Sequence, residues 1–319
     1  MAKRDTYCEV NFLKKFSEKY VQCSPFDEEQ LKKNKCWIGI TSFLRSKANI
    51  WIDDNAAFNT MAQDNQFCCK IKKQWAGGYL TIKEKKIDLD DIPEEALCTS
   101  VFLYDNKDFV TQKAEKLGIL LITPSTYDQF AYLFKDNGKS FYQDQEADWS
   151  IIKQECKHNF NTIVISDLYL LKEKKINLYA LLDVILPSKL ETELHISIFT
   201  DETPTFQQDQ QELVEYIHSI RKNLKFNLSL HKGTNADFHD RGIITNYARM
   251  TCGVGFDLFK IKKPNNIQVA KHTTTVLMDY PYFKDSEVTE KNYEDILLDA
   301  QRMYNNNICI GTKNNRLLK

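Results

Sequence analysis

The spacing of apolar and polar residues divides the chain into short strands and helices. Val10, Leu13, Phe16 and Tyr20 fall at helical intervals with lysines between them, so 8–21 predicts a helix. The runs 36–41 and 50–52 read as short strands. The runs 67–71 and 79–82 flank Gly77-Gly78, which reads as a hairpin or a longer turn. The charged stretch 83–95 reads as a solvated loop, and the apolar run 98–104 as a buried strand. A helix over 107–117 is stopped by Gly118. The strand 119–122 follows, then a helix over 125–134 with Ser125 as its N-cap.

The stretch 136–148 is polar with few apolar positions, and the domain boundary is expected there, giving domains of 1–145 and 146–319. Beyond it, 149–158 reads as a helix. Strands at 162–165, 194–199 and 226–231 then alternate with helices at 178–185 and 208–223. Such alternation predicts an α/β layer with the sheet between helices. Three β-like runs follow, at 242–245, 249–253 and 269–278. A last helix over 293–304 carries Ile296, Leu297, Ala300 and Met303 on one face. No repeat of fixed period is present.

Composition narrows the function. Hydrophobic residues make up 42% of the 319 and aromatic residues 12%, enough for two cored domains. Lys and Arg number 43 against 44 Asp and Glu, so a polyanion would have to be held by a local patch and not by a global field. Short patches exist at Lys70, Lys72 and Lys73 near Trp75, and at Lys260, Lys262 and Lys263; each also reads as a solvated strand end. The nine cysteines form no CxxC pair and read as reduced thiols of a cytoplasmic protein, with no metal site and no cofactor. The segment MAKRDTYCEVNFLKKF lacks the apolar run of a signal peptide, and no stretch is apolar enough to cross a membrane.

The segment FHDRGIITNYARMTCGVGF, 238–256, carries the candidate chemistry. Phospholipase-D-type enzymes have H-x-K, four residues, D, six residues, then a G-S turn. Here His239 stands at the H, Arg241 at the K, Asn246 at the D and Gly253 at the G, with Val254 in place of the Ser. In the active family the imidazole attacks phosphorus, the lysine holds the non-bridging oxygens and the Asp orients the histidine. Arginine still offers a fork for phosphate, whereas Asn cannot stabilise an imidazolium by charge. Only one such motif is present, so catalysis would need a homodimer that pairs two His239 sites.

The segment more closely resembles the phospholipase-D-like domain found C-terminal in proteins with an MIT (microtubule-interacting and trafficking) domain, and its bacterial relatives. The resemblance spans about 162–283. It is carried by His239-Asp240-Arg241, by Gly253-Val254-Gly255-Phe256-Asp257, by TIVISDLYL at 162–170 and by ELHISIFTD at 193–201. It implies a phospholipase-D-like fold and a site with His239, Arg241 and Asn246 in the catalytic positions. Asp240, Gly253, Gly255, Asp257 and Lys260 would bind ligand. It also implies a phosphate or phosphodiester ligand, such as nucleic acid or a lipid headgroup, protein partners in a larger assembly, and for the bacterial members an association with antiviral defence. A salt-bridged network holding a loop is the other reading of His239-Asp240-Arg241. A nuclease is the alternative function.

The first domain reads as a smaller α/β unit, Rossmann-like or similar to PIN-type nucleases. The segment 100–123 resembles the fourth-strand region of the latter, with Asp105 and Asn106 near the metal-binding position and Asp53 or Asp54 as the opening acid. Capping of the following helix by Asp105 is the plainer reading. Asp53 and Asp105 are therefore expected not to form a metal site.

Overall fold

The computed structural model describes residues 3–20, 27–79, 81–105, 108–135, 137–152, 160–171, 175–201, 203–233, 241–263, 266–284 and 287–319, without the side chains at 108–111, 263 and 287. They form two compact units. One comprises 1–115, 119–135 and 282–285, and the other 116–118, 136–281 and 286–319.

The N-terminal unit is built on a parallel sheet. Its strands are β1 (Arg4–Cys8), β2 (Ala48–Ile52), β3 (Thr81–Glu84), β4 (Val101–Leu103) and β5 (Leu120–Ile122), in the order β3-β2-β1-β4-β5. The connections hold α1 (Val10–Ser17), α2 (Glu28–Ser46), α3 (Asn55–Asp64), α4 (Gln66–Ala76), α5 (Glu94–Thr99) and α6 (Asp108–Leu117). Every residue of β4 and β5 is buried, as strands covered on both faces require. Three helices start on side-chain caps: Asp27 accepts from Gln30, Asp54 from Ala57 and Asn65 from Cys68.

Several expectations fail here for identifiable reasons. The run 36–41 lies inside α2, whose buried residues Cys36, Ile40, Phe43 and Leu44 follow helical spacing. The run 67–71 lies inside α4, where Phe67, Cys68 and Ile71 are buried. Gly77-Gly78 therefore links a helix to a parallel strand and is not a hairpin. The helix expected over 8–21 starts only at Val10, because the preceding RDTYC forms β1, the central strand. The helix expected over 125–134 is a 3₁₀ helix, Tyr127–Phe134, and the Ser125 hydroxyl bonds Thr123 at 2.9 Å instead of capping it.

The C-terminal unit carries an eight-stranded mixed sheet. Its elements are β6 (Asn137–Phe141), β7 (Thr162–Ser166), α7 (Ile176–Ile185), β8 (Leu194–Thr200), α8 (Phe206–Ile220), β9 (Phe226–Lys232), β10 (Gly242–Thr245), β11 (Arg249–Cys252), β12 (Phe259–Lys263), β13 (Asn266–Val269), β14 (Thr274–Asp279), α9 (Glu287–Asn306) and β15 (Cys309–Gly311). The sheet order is β15-β9-β8-β7-β10-β11-β14-β6, and β12–β13 is a separate hairpin. β7, β8 and β9 are mutually parallel, joined by the expected βαβ crossovers. β6 is an edge strand on β14, so the polar stretch expected to divide the domains contributes to this sheet. The run 269–278 divides between β13 and β14.

Alternation along the parallel strands separates two buried faces. Ile163, Ile165, Ile196, Ile198, Leu228 and Leu230 join Leu178, Leu181 and Leu182 of α7 and Leu213 and Ile217 of α8 in one apolar cluster. The opposite face is polar yet buried. Thr162 donates to Asn315 at 2.8 Å, the Asn315 amide reaches Ser197 at 3.1 Å, and Ser197 meets Ser229 at 2.9 Å. Ser229 in turn meets the His231 ring at 2.9 Å. The 315–318 segment thereby satisfies groups that would be costly to bury alone.

Candidate functional site

The parallel strands deliver one carboxylate to a defined place. β7 ends at Ser166, and the next residue, Asp167, is fully buried. Its Oδ1 accepts the Tyr169 N–H at 3.0 Å and its Oδ2 accepts the Phe256 N–H at 2.7 Å. The second bond ties β7 to the turn after β11. In that turn the Gly255 N–H donates to the Cys252 carbonyl at 2.9 Å, and the Cys252 thiol donates to the Gly255 carbonyl at 3.0 Å. Burial pushes the Cys252 thiol up to about 11, so it stays protonated.

Gly255 is where the candidate side chains converge. Its φ is +92°, and a Cβ built there would lie 2.8 Å from Asp167 Oδ2, 2.9 Å from an Arg241 terminal nitrogen and 3.1 Å from Asp257 Oδ1. The missing side chain is therefore a requirement of the site. Gly253 faces open space and carries no such constraint. Arg241 approaches Asp167 at 4.0 Å and lies 5.2 Å from the Tyr169 ring centroid. Asp257 pairs with Lys271 at 3.1 Å. Burial raises the Asp167 carboxyl above the ordinary range, against the two N–H bonds and Arg241, which lower it; Asp257 raises it further.

A cavity of about 320 Å³ adjoins this cluster. Tyr169, Asp257, Lys260 and Lys271 line it together with the apolar Phe256, Phe259 and Ile261. Asn177 of α7 donates to the Phe259 carbonyl at 2.8 Å and so fastens the β12–β13 hairpin that forms one wall. Two N–H groups of the glycine turn are engaged within the protein: Phe256 serves Asp167, and Gly255 serves Cys252. The anion at that turn is the protein's own carboxylate, which leaves lysine and arginine side chains to meet any external one.

Arg241, Gly255, Asp257 and Lys260 thus share one neighbourhood. Asn246 does not. It is fully buried at the other end of β10, roughly 16 Å along the strand from Arg241. Its Oδ1 accepts from the Asn161 N–H at 3.3 Å, and its amide donates to the Gly118 carbonyl at 3.1 Å. His239 and Asp240 lie outside the described residues. Sequence reasoning assigned no site role to Asp167, Tyr169 or Lys271. The first two were legible as the strand-ending Asp and Tyr of TIVISDLYL, whereas Lys271 carried no signal.

Residues 149–277 match the family model of the phospholipase D-like domain at the C-terminus of MIT. The chain carries a C-terminal phospholipase D-like domain. The match begins upstream of the expected Thr162 and ends before Phe283, and it contains Asp167, the glycine turn and both cavity lysines. No curated protein matches the chain. Among solved structures, the chain is similar to TrmBL2, an archaeal chromatin protein with a novel mode of DNA binding, at 10% identity and a TM-score of 0.28 over 52% of each chain. The chain thus spans about half the length of that protein, and so loose a superposition supports no inference about the phospholipase D-like domain.

In the N-terminal unit, Glu9, Asp53 and Asp105 follow β1, β2 and β4, at the point where strand order reverses. Each is engaged. Glu9 accepts the Asp105 N–H at 2.7 Å, Asp53 accepts the Val10 N–H at 2.8 Å, and Asp105 pairs with Lys15 at 2.8 Å. Burial raises the Glu9 carboxyl, and Asp53 and Asp105 add to that, while the Asp105 N–H and Lys86 oppose it. Glu9 follows a strand, β1, that has no apolar run to mark it in the sequence. Asp54 caps α3, and Asn106 lies outside the described residues. Among the described residues no group of three or more His, Cys, Asp or Glu side chains has metal-holding geometry. No described helix is long and apolar enough to cross a membrane.

Proposed function

We propose that the phospholipase D-like domain is a binding module for a phosphate-bearing ligand. The observation that carries the reading is the cavity lined by Lys260 and Lys271, with the Arg241 guanidinium 5.2 Å from the ring of the lining residue Tyr169. Two lysines against one lining carboxylate, Asp257, make the lining net cationic. The ammonium groups supply point charges, and the guanidinium supplies paired donors suited to phosphate oxygens. Gly255 permits the close approach of Arg241 and Asp257, and Asp167 fixes the turn beneath them.

The test is a calorimetric titration of the full chain with inorganic phosphate and with dimethyl phosphate. Lys260→Ala should weaken binding about tenfold, in line with the loss of one charge-assisted contact. Unchanged affinity would remove the cavity from the account. Metal-independent hydrolysis of a phosphodiester substrate, lost in His239→Ala, would move the domain from binding to catalysis.

A further inference from the structure

The cavity holds more apolar surface than a bare phosphate needs. Phe256 and Phe259 are buried, at 0% and 3% exposure, and they contribute to its lining. Tyr169 and Ile261 line it while remaining 40% and 51% exposed. Large apolar groups left half in water beside two lysines form an amphipathic site, one part cationic and one part suited to a flat, weakly hydrated group. Size narrows the choice. At about 320 Å³ the cavity sits at the lower end of small-molecule pockets, which run from roughly 300 to 1,000 Å³. It has room for one phosphorylated small molecule and none for a duplex.

We infer that the ligand is a single nucleotide, with its phosphate against Lys260 and Lys271 and its base against Tyr169 and Ile261. The inference rests on the phosphate-binding reading and adds the class of ligand. A nucleobase suits the apolar part because it has a polarisable face that stacks on an aromatic ring, whatever its identity. Arg241 lies 5.2 Å from the Tyr169 ring centroid, so the same guanidinium that meets phosphate also holds the stacking ring in place. An inositol or glycerol headgroup brings phosphate but no flat apolar face, and it would leave Tyr169 and Ile261 as exposed as they are now. A free nucleotide and the terminal nucleotide of a single strand present the same chemistry.

The experiment compares inorganic phosphate, ribose 5-phosphate, AMP and a 5′-phosphorylated tetranucleotide as calorimetric titrants of the full chain. AMP should bind about tenfold tighter than ribose 5-phosphate, the increment expected of one stacked base. Tyr169→Ala should abolish the difference between AMP and ribose 5-phosphate, whereas Lys260→Ala should weaken both and preserve that difference. A tetranucleotide tighter than AMP assigns the site to a strand end, and the reverse assigns it to a free nucleotide. Equal affinities for ribose 5-phosphate and AMP would overturn the inference and leave the phosphate reading standing. Binding of none of the four would overturn both. Circular dichroism on each variant separates a lost contact from a lost fold.

Discussion

The Asp167 carboxylate accepts the Phe256 N–H at 2.7 Å, and this bond joins the end of β7 to the glycine turn that follows β11. Residues far apart in the chain thereby set one geometry. Asp167 is positioned by a buried parallel strand, Phe256 by a turn that needs Gly255 at φ +92°. Arg241, at the start of β10, comes to the same place because β10 pairs antiparallel with β7, Gly242 opposite Ser166.

The two glycines of the turn should respond differently to the same change. Gly255→Ala introduces a Cβ at 2.8–3.1 Å from Asp167, Arg241 and Asp257 and forces a left-handed φ on alanine. It should cost about 1–3 kcal/mol in urea unfolding. Gly253→Ala meets nothing within 4 Å and should stay within about 0.5 kcal/mol of the parent. Equal effects would mean that the turn is not held as described.

Asp167 and His231 give opposite pH signatures. Burial raises the Asp167 carboxyl, so its favourable contribution is full below the ordinary carboxylate pKa of about 4 and is lost as pH rises through the raised value. The stability advantage of the parent over Asp167→Asn should therefore shrink as pH rises through that window.

His231 behaves in the reverse sense. It is wholly buried, and burial, with Lys313 adding, lowers its pKa to about 4. Its contribution is full above the ordinary histidine pKa of about 6.5 and is lost as pH falls toward 4. His231→Phe retains a ring between Phe199 and Tyr304 and should flatten that acid loss, worth up to about 3 kcal/mol. Thermal melts between pH 7 and 4 read both variants.

Arg249 and Asp279 face each other across β11 and β14, 2.8 Å apart and almost fully buried. Arg249→Ala should cost about 3–5 kcal/mol, because it removes the cationic partner of a buried carboxylate. The double change Arg249→Met, Asp279→Leu should recover most of that loss, since both charges are removed together. A double variant as unstable as the single one would show that the pair does more than satisfy itself.

The legible and illegible parts of this chain differ for physical reasons. The βαβ core of the C-terminal unit was readable because β7, β8 and β9 carry Ile or Leu at alternate positions and α7 and α8 keep helical spacing. β1 was not, because Arg4 and Asp5 open it and only Thr6, Tyr7 and Cys8 are buried. The runs 36–41 and 67–71 misled because a short apolar run has no clear period until its flanks are counted. At the site, Arg241 and Gly255 were legible through a motif spacing. Lys271 was not, since only the fold of the β12–β13 hairpin brings it to the cavity. Asn246 held a motif position yet serves the backbone of Asn161 and Gly118, a role that spacing alone cannot reveal.

The central claim is that Arg241 serves an external phosphate and not merely Asp167. It is tested most directly by titrating inorganic phosphate into the parent and into Arg241→Ala, with the melting temperature of each recorded. The account predicts a loss of affinity of about tenfold or more with melting nearly unchanged, because Arg241 stands 4.0 Å from Asp167 and is about one-third exposed. A melting temperature lowered by several degrees, with no phosphate affinity in the parent to lose, would contradict it and leave Arg241 as part of the architecture.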